Sequence, residues 1–292
     1  MINYDEPLFR PPSEAYSLIL QVSLGCAWNK CAFCEMYSSK QFRVRPETDV
    51  FTEIESLSPY SDQIRKVFLA DGNAMVLSFD KLSRLLDKLN ACFPKLNRVS
   101  AYALPRDIES KTDEELQILA SKGLKLLYVG IESGDDELLQ VINKGESFKS
   151  TSQALQKARQ AGIKLSVMIL NGLGGQKFSE QHAINSAKLV NEIQPEFLST
   201  LVLSYPHGEE HFKQKFNDEF IPLNTIELIA EMKVFIETLS LENTVFRSDH
   251  ASNYLILKGN LSRDKDELLN RINGVLNDPN NAKLRPEWMR GL

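Results

Sequence analysis

Short apolar segments alternate with longer stretches of helical periodicity along most of the chain. The apolar segments are rich in Val, Ile and Leu, have the length of buried strands, and cover residues 17–22, 66–69, 98–103, 125–130, 164–170 and 197–203. The helical patterns between them cover residues 48–57, 79–92, 112–122, 148–161 and 179–193. Because each parallel connection needs a crossover, this alternation predicts an α/β fold with a parallel sheet.

Several helix boundaries carry local signals that support this assignment. Thr112 is followed by three acidic residues, which is typical of an N-cap and an acidic first turn. Gly123 and Gly162 stand where the preceding helices would end. Right-handed crossovers would curl such a series into a barrel or a partial barrel, while the pattern alone also allows a flat, doubly wound sheet.

The regular alternation of predicted strands and helices ends after residue 206. Helical patterns at residues 209–216, 225–239 and 263–276 surround one predicted strand at residues 254–257. We therefore predict an N-terminal arm at residues 1–16, a core at residues 17–206, and a mainly helical C-terminal extension at residues 207–292 that caps or flanks the core.

Composition and charge narrow the class of protein. The 292 residues carry a net charge of -5 and are 25% charged, which argues against a general nucleic-acid binder. The apolar runs are far shorter than the roughly 18 residues of a membrane-spanning helix, and the N-terminus lacks the basic and apolar parts of a secretory signal. We expect a cytoplasmic protein, in which thiols stay reduced and cysteines act as ligands, nucleophiles or core residues.

Three cysteines follow the first predicted strand within nine residues. Cys26, Cys31 and Cys34 are separated by four residues and then by two. Thiolates hold iron–sulfur clusters, and three of them leave one iron of a cubane without a protein ligand. An open coordination position is what distinguishes a catalytic metal site from a closed structural one.

Two other metal or redox interpretations are weaker. A structural zinc site needs two close cysteine pairs, or one pair with histidines, and the four histidines have no such spacing. A redox pair of Cys31 and Cys34 leaves Cys26 without a role. Cys92 lies in a helical pattern and is interpreted as a small apolar residue.

The cysteine loop, with the aromatic Phe33 before its last cysteine, resembles that of the radical S-adenosylmethionine (SAM) superfamily. The usual spacing in that family is three residues and then two, so the extra residue here changes the path of the loop. The resemblance covers about residues 17–206 and implies a partial (β/α)6 barrel of TIM type. It also implies two cofactors, a [4Fe–4S] cluster on Cys26, Cys31 and Cys34, and SAM.

The resemblance also assigns roles to residues at the ends of later strands. The turn Asp71-Gly72-Asn73 would contact the methionine moiety of SAM, because glycine lets backbone approach a ligand closely. Glu132 would contact the SAM ribose, with a helix cap as the alternative. Lys144 would meet the SAM carboxylate, with a solvated surface lysine as the alternative.

Strand five would place Leu170 and Gly172 beside the adenine, and Phe33 belongs to the same cofactor-binding set. The segment at residues 246–254 is rich in polar side chains, and Arg247, Asp249 and His250 are candidates to face the substrate at the barrel mouth, together with Tyr205 after strand six. The alternative for this segment is a polar turn with a satisfied histidine.

The implied reaction is reductive cleavage of SAM to a 5'-deoxyadenosyl radical that abstracts hydrogen from a small-molecule substrate. It requires an external one-electron donor such as flavodoxin or ferredoxin. No second cysteine cluster follows the barrel, and the sequence does not identify the substrate. The alternative function is a non-catalytic iron–sulfur sensor or electron-transfer protein.

Overall fold

The computed structural model describes residues 2–34, 36–205, 208–216 and 219–291. Its strands are β1 (Leu18–Gln21), β2 (Ser23–Leu24), β3 (Arg43–Val44), β4 (Lys66–Ala70), β5 (Arg98–Tyr102), β6 (Leu124–Glu132), β7 (Lys164–Asn171), β8 (Phe197–Val202), β9 (Val245–Ser248) and β10 (Leu257–Asn260). Its α-helices are α1 (Glu47–Ser56), α2 (Phe79–Cys92), α3 (Pro105–Glu109), α4 (Asp113–Ser121), α5 (Asp136–Val141), α6 (Phe148–Gln160), α7 (Gly175–Ile193), α8 (Glu209–Lys213), α9 (Thr225–Thr238) and α10 (Lys265–Asn277).

The chain divides into two compact units. Unit 1 comprises Met1–Asn29, Cys34–Val129 and Gln153–Leu165, and unit 2 comprises Lys30–Phe33, Gly130–Ser152 and Ser166–Leu292. In unit 1, β1, β4, β5 and β6 pair in that order and are all parallel. The short strands β2 and β3 form a separate antiparallel pair on either side of the cysteine segment.

Unit 2 continues the same alternation of strands and helices. Strands β7, β8 and β9 are parallel, and β10 pairs antiparallel with β9. Helix α7 follows β7 and packs against α9, which in turn packs against α10. Parallel strands that alternate with helices confirm the predicted α/β fold.

The local signals act as predicted. Val67, Phe68 and Leu69 are fully buried. A parallel strand is covered on both faces, so its successive side chains are all apolar and do not alternate with polar ones. Thr112 caps α4 through a reciprocal capping box with Glu115. The six strands predicted in the core region and the helices between them are all present, with ends that differ by a few residues.

The elements beyond residue 206 differ more from the prediction. The predicted strand at residues 254–257 is wrong, because the chain turns there and β10 begins only at Leu257. Strand β9 was not predicted, and it includes Arg247 of the segment that we expected to cap the barrel mouth or to form a polar turn. The predicted boundary at residues 206 and 207 lies outside the described residues. Within the described part of the chain, no helix is long and apolar enough to cross a membrane.

The N-terminal arm contributes to the core of unit 1, although its sequence shows no core pattern. Tyr4 and Leu8 pack against the cluster of Ile19, Phe68 and Tyr128. Glu14 is completely buried. Its carboxylate accepts hydrogen bonds from Arg98 Nη2 at 2.7 Å, Ser100 Oγ at 3.0 Å and Tyr128 Oη at 2.6 Å.

Replacement of this carboxylate should therefore destabilise the protein strongly. We expect Glu14→Ala to lower the free energy of unfolding by about 3 to 5 kcal/mol, because a partly buried arginine and the three buried hydroxyls of Ser17, Ser100 and Tyr128 lose their acceptor. Urea denaturation measures the change. Glu47→Ala is the matched control, since Glu47 pairs with Arg84 on the surface and its removal should cost less than about 1 kcal/mol. Equal effects of the two substitutions would contradict the assigned role of Glu14.

Candidate cofactor site

The turn after β4 lies directly against the cysteine segment in unit 1. Asp71 adopts a left-handed backbone with φ of 41°. A Cβ atom on Gly72 would lie 2.3 Å from Gly25 O and 2.5 Å from Cys26 Cα. Both are backbone atoms that a side-chain rotation cannot move, so only glycine allows this approach.

The side chains on either side of Gly72 hold the backbone around Cys26. Asp71 Oδ2 accepts a hydrogen bond from Gly25 N at 3.1 Å, and Asn73 Oδ1 accepts one from Ala27 N at 3.0 Å. Asp71 and Asn73, which we predicted to bind a cofactor, thus fix the position of Cys26. Their contact with a cofactor stays a prediction.

Buried charged residues contact the turn at residues 71–73 and the residues that follow it. Lys40 Nζ donates to Asp71 Oδ2 at 2.9 Å, and both side chains are at most 5% exposed. Asn73 Nδ2 donates to Asp107 Oδ2 at 2.5 Å. Lys111 Nζ donates to the carbonyls of Met75 and Asp107. Burial raises the pKa of Asp107 and lowers the pKa of Lys111.

Sequence analysis missed Lys40, Asp107 and Lys111. In the sequence, each of them looks like an ordinary charged residue of a loop or a short helix. They were missed because their burial depends on contacts with residues that are distant in the sequence. The one usable signal is that Asp107 follows β5 much as Asp71 follows β4.

Cys26, Cys31 and Cys34 lie between β2 and β3 and are each half-buried. No group of three or more His, Cys, Asp or Glu side chains within the described ranges is placed to hold a single metal ion. A cubane cluster keeps its ligand sulfurs farther apart than one ion does, because each sulfur binds a different iron. The long first gap between cysteines contains Asn29, which is left-handed with φ of 42° and donates through Nδ2 to Tyr37 O at 3.1 Å.

Glu132 and Lys144 form a buried ion pair in unit 2. Lys144 Nζ lies 3.1 Å from Glu132 Oε1, and the side chains are 6% and 5% exposed. Glu132 is the last residue of β6 and has φ of 62°. The alternatives of a helix cap and a solvated lysine are therefore wrong: Asp135 caps α5, and Lys144 is buried.

Two neighbours fix the surroundings of this pair. A Cβ on Gly130 would lie 2.1 Å from Glu132 Oε1, so glycine makes room for the carboxylate. Ala32 N donates to Ile142 O at 2.8 Å and joins residues 30–33 to the turn before Lys144. The Phe33 ring centroid then lies 5.7 Å from Lys144 Nζ, within cation–π distance. The structure thus brings Phe33, Glu132 and Lys144 together, and their contact with SAM stays a prediction.

The turn after β7 is held by a carboxylate from α9. Gly172 has φ of 82°, and its N–H donates to Glu231 Oε1 at 2.6 Å. Ser179 Oγ donates to Glu231 Oε2 at 2.7 Å, and His182 Nε2 lies 4.0 Å from Glu231 Oε1. Leu170, near the end of β7, belongs to the apolar cluster against which Phe33 packs.

Burial is the main cause of the pKa shifts of Glu231 and His182. It raises the pKa of Glu231 to about 7, against the two hydrogen bonds from Gly172 and Ser179, and lowers the pKa of His182 to about 4. Sequence analysis missed Glu231, because a glutamate on an amphipathic helix usually faces solvent and nothing local distinguishes this one.

The C-terminal candidates lie on and after β9. Because β9 runs parallel to β8, Asp249 and His250 follow its carboxyl end, as Tyr205 follows that of β8. Asp249 forms an ion pair with Lys258 at 2.9 Å, and His250 Nδ1 lies 2.9 Å from Ser252 Oγ. Arg247 is exposed within β9. Burial, reinforced by the positive charge of Arg285, lowers the pKa of His250. Their contact with a substrate stays a prediction.

Several buried polar atoms at these turns lack a hydrogen-bond partner within the described residues. They include Asp71 Oδ1, Glu132 Oε2 and Tyr37 Oη. Buried polar atoms in proteins are nearly always paired, so such atoms indicate a missing partner. Two carboxylate oxygens would accept the hydroxyl or ammonium hydrogens of a bound molecule. The residues present therefore fit the cofactors that the cysteine loop implies.

Comparison with known proteins supports this assignment. The family model described as the radical SAM superfamily matches residues 20–187. The heme chaperone HemW of Bacillus subtilis is 27% identical over 126 residues, which are 42% of this chain and 33% of HemW. A putative methylthiotransferase of Methanocaldococcus jannaschii is 25% identical over 178 residues, 56% of this chain and 38% of that protein. The chain thus spans about a third of the length of HemW and less than two fifths of the methylthiotransferase.

A solved structure shows the same fold. Coproporphyrinogen III oxidase (HemN) from Escherichia coli, whose structure is described as that of a radical SAM enzyme, superimposes with a TM-score of 0.59 at 19% sequence identity. The superposition covers 76% of this chain and 52% of HemN. It confirms the predicted partial barrel of parallel strands and helices.

The contact of Gly72 with the cysteine segment can be tested by adding one methyl group. We expect Gly72→Ala to lower the free energy of unfolding by about 1 to 3 kcal/mol and to reduce the iron retained after reconstitution, because the backbone around Cys26 must move. Gly274→Ala is the control, since a Cβ there meets no atom within 4 Å. Urea denaturation and iron analysis measure the two effects, and full iron content in Gly72→Ala would contradict the close approach.

The buried Glu231 predicts a pH dependence of stability. Its pKa of about 7 in the folded protein exceeds the unfolded value of 4.5, so its favourable contribution is present below pH 4.5 and is lost as the pH rises through 7. Between about pH 5 and about pH 8, wild-type protein should lose about 3 kcal/mol relative to Glu231→Gln. Urea denaturation at both pH values measures this difference.

Glu237→Gln provides the matched control for this measurement. Glu237 lies on the same helix and its side chain is 49% exposed. It should show the same dependence on pH as wild type. A Glu231→Gln variant that also follows the wild-type curve would refute the raised pKa.

Proposed function

Because the chain belongs to the radical SAM superfamily, we propose that Cys26, Cys31 and Cys34 hold the [4Fe–4S] cluster at which this enzyme cleaves SAM. Enzymes of this family use the cluster and SAM as cofactors. The observation that supports the assignment of residues is the close packing of Gly72 on the backbone of Cys26. It places a glycine turn directly against the first of the three cysteines.

The bound cofactors supply a carbon-centred radical that removes a hydrogen atom from the substrate, once an external donor has provided one electron. The protein must hold SAM and exclude water and competing reactions. We assign the methionine moiety of SAM to the turn Asp71-Gly72-Asn73. The backbone of this turn and Asp71 Oδ1, which has no partner among the described residues, remain for the ligand, because Asp71 Oδ2 and Asn73 Oδ1 already bind Gly25 and Ala27.

We assign the SAM ribose to Glu132. Its Oε2 is buried without a partner among the described residues, and a carboxylate oxygen can accept from ribose hydroxyls. Lys144 compensates the charge of Glu132 through Oε1, and we assign the SAM carboxylate to its ammonium group. We assign the adenine to Leu170, Gly172 and Phe33, which offer apolar surface and a glycine backbone.

The substrate is proposed to be a small molecule bound near Tyr205, Asp249 and His250, with Arg247 as a further candidate. These residues follow, or lie on, strands whose carboxyl ends point the same way. We do not propose the activities of HemW or of the methylthiotransferase for this chain, because the matched parts are minor fractions of those proteins. We place the enzyme in the cytoplasm, where thiolates stay reduced and flavodoxin or ferredoxin can donate electrons.

Anaerobic reconstitution tests the proposal. With dithionite and SAM, wild-type protein should form 5'-deoxyadenosine. Cys26→Ala, Cys31→Ala and Cys34→Ala should each reduce formation to the level of a protein-free control, because the cluster loses a ligand. Cys92→Ala is the matched control and should keep wild-type formation, since Cys92 ends helix α2, outside the cysteine segment.

Two outcomes would point to other functions. A brown protein that holds iron and sulfide but never cleaves SAM would support the sensor or electron-transfer alternative. A colourless protein with one zinc per chain would refute the cluster itself.

A further inference from the structure

A chain of buried polar side chains lies behind the two turns of unit 2 that follow β6 and β7. His182, Ser186 and Glu231 are each at most 3% exposed, and the proposed contacts with SAM do not include them. Removing polar groups from water is costly unless they bind other polar groups. The contacts of these side chains therefore show what they hold in place.

Helix α7 holds the turn after β6, which begins directly after Glu132. Ser186 Oγ accepts a hydrogen bond from Gly134 N at 2.9 Å. A Cβ atom on Gly134 would lie 2.3 Å from Asn185 O, so only glycine lets this turn lie on the backbone of α7. The turn next to Glu132 is thus fixed to α7 by close packing and by a hydrogen bond.

His182 lies between this turn and Glu231. Ser133 Oγ accepts a hydrogen bond from Asp135 N at 3.0 Å, so its hydroxyl hydrogen remains available to His182 Nδ1, which lies 2.8 Å away. Burial lowers the pKa of His182 to about 4, so the ring is neutral and carries its one proton on Nε2. That atom lies 4.0 Å from Glu231 Oε1, a distance at which the contact is electrostatic and not a hydrogen bond.

Glu231 continues the chain to the turn after β7. Its Oε1 accepts from Gly172 N at 2.6 Å, and its Oε2 accepts from Ser179 Oγ at 2.7 Å. Gly172 is left-handed with φ of 82°, and the carboxylate binds its N–H in this conformation. One connected set of buried polar groups therefore extends from Ser133 to Gly172.

We propose that His182 and Glu231 position the adenosine part of SAM by holding the turns after β6 and β7 in one arrangement. The inference rests on the proposed function, which assigns the ribose to Glu132 and includes Gly172 in the adenine site. Glu132 directly precedes one end of the chain, and Gly172 forms the other end. His182 and Glu231 act through these residues and are positioning residues. Turns that are already ordered do not have to be ordered by SAM, which strengthens its binding.

Reconstituted protein tests the proposal in the assay of 5'-deoxyadenosine formation. The measurements are the KM of SAM and the inhibition constants of 5'-methylthioadenosine and methionine, which each carry one part of SAM. Glu231→Ala should raise the KM and the constant of 5'-methylthioadenosine by about tenfold, the effect of losing one hydrogen bond to a charged group. The constant of methionine should keep its wild-type value, because we assign that part of SAM to the turn after β4.

Two variants of helix α9 serve as controls. Glu231→Gln keeps an acceptor for Gly172 N–H and should stay within about twofold of wild type. Glu237→Ala removes a carboxylate of the same helix whose side chain is 49% exposed, and it should change none of the constants. Wild-type constants in Glu231→Ala, or equal increases for 5'-methylthioadenosine and methionine, would overturn the proposal.

Ser133→Ala covers the case in which Glu231→Ala does not fold, because it removes a single hydroxyl at the other end of the chain. It should also raise the constant of 5'-methylthioadenosine, by about three- to tenfold, and leave that of methionine unchanged. Wild-type constants in folded Ser133→Ala would contradict the role of His182. Wild-type protein that forms no 5'-deoxyadenosine would instead refute the proposed function, so the two failures are distinguishable.

Discussion

The contact between Gly72 and the backbone of Cys26 is the constraint from which the rest of the site follows. A turn can approach within this distance only where no side chain intervenes. Once it does, Asp71 and Asn73 reach Gly25 N and Ala27 N, and the cysteine segment becomes an extension of β4 and its turn. This support fixes the backbone on both sides of Cys26, the first of the three cysteines.

Two buried ion pairs fix further side chains of the proposed site. Lys40 with Asp71, and Lys144 with Glu132, are pairs withdrawn almost completely from solvent. Such pairs add little net stability, because desolvation offsets their attraction, but breaking one leaves an uncompensated charge. Their value here is positional: each fixes a carboxylate whose second oxygen lacks a partner among the described residues and is available to a ligand.

The C-terminal region shapes the turn after β7, to which we assign the adenine of SAM. Glu231 of α9 accepts the N–H of Gly172, and Asn171 Nδ2 donates to Leu228 O of the same helix. The glycine turn after β7 is therefore shaped by a helix that follows it by more than fifty residues. Aromatic contacts of Tyr205 with Phe212 and Phe220 join the end of β8 to the same region.

The sequence by itself determined what depends on neighbouring residues: the alternation of strands and helices, the capping of α4, the cysteine spacing and the glycine turns at strand ends. Tertiary structure alone decided which charges are buried. Lys40, Asp107 and Glu231 look like surface residues, and their roles arise from partners 31, 34 and 59 residues away. Strand β9 also escaped prediction, because pairing with β8 and β10 stabilises four residues whose own pattern is too short to specify a strand.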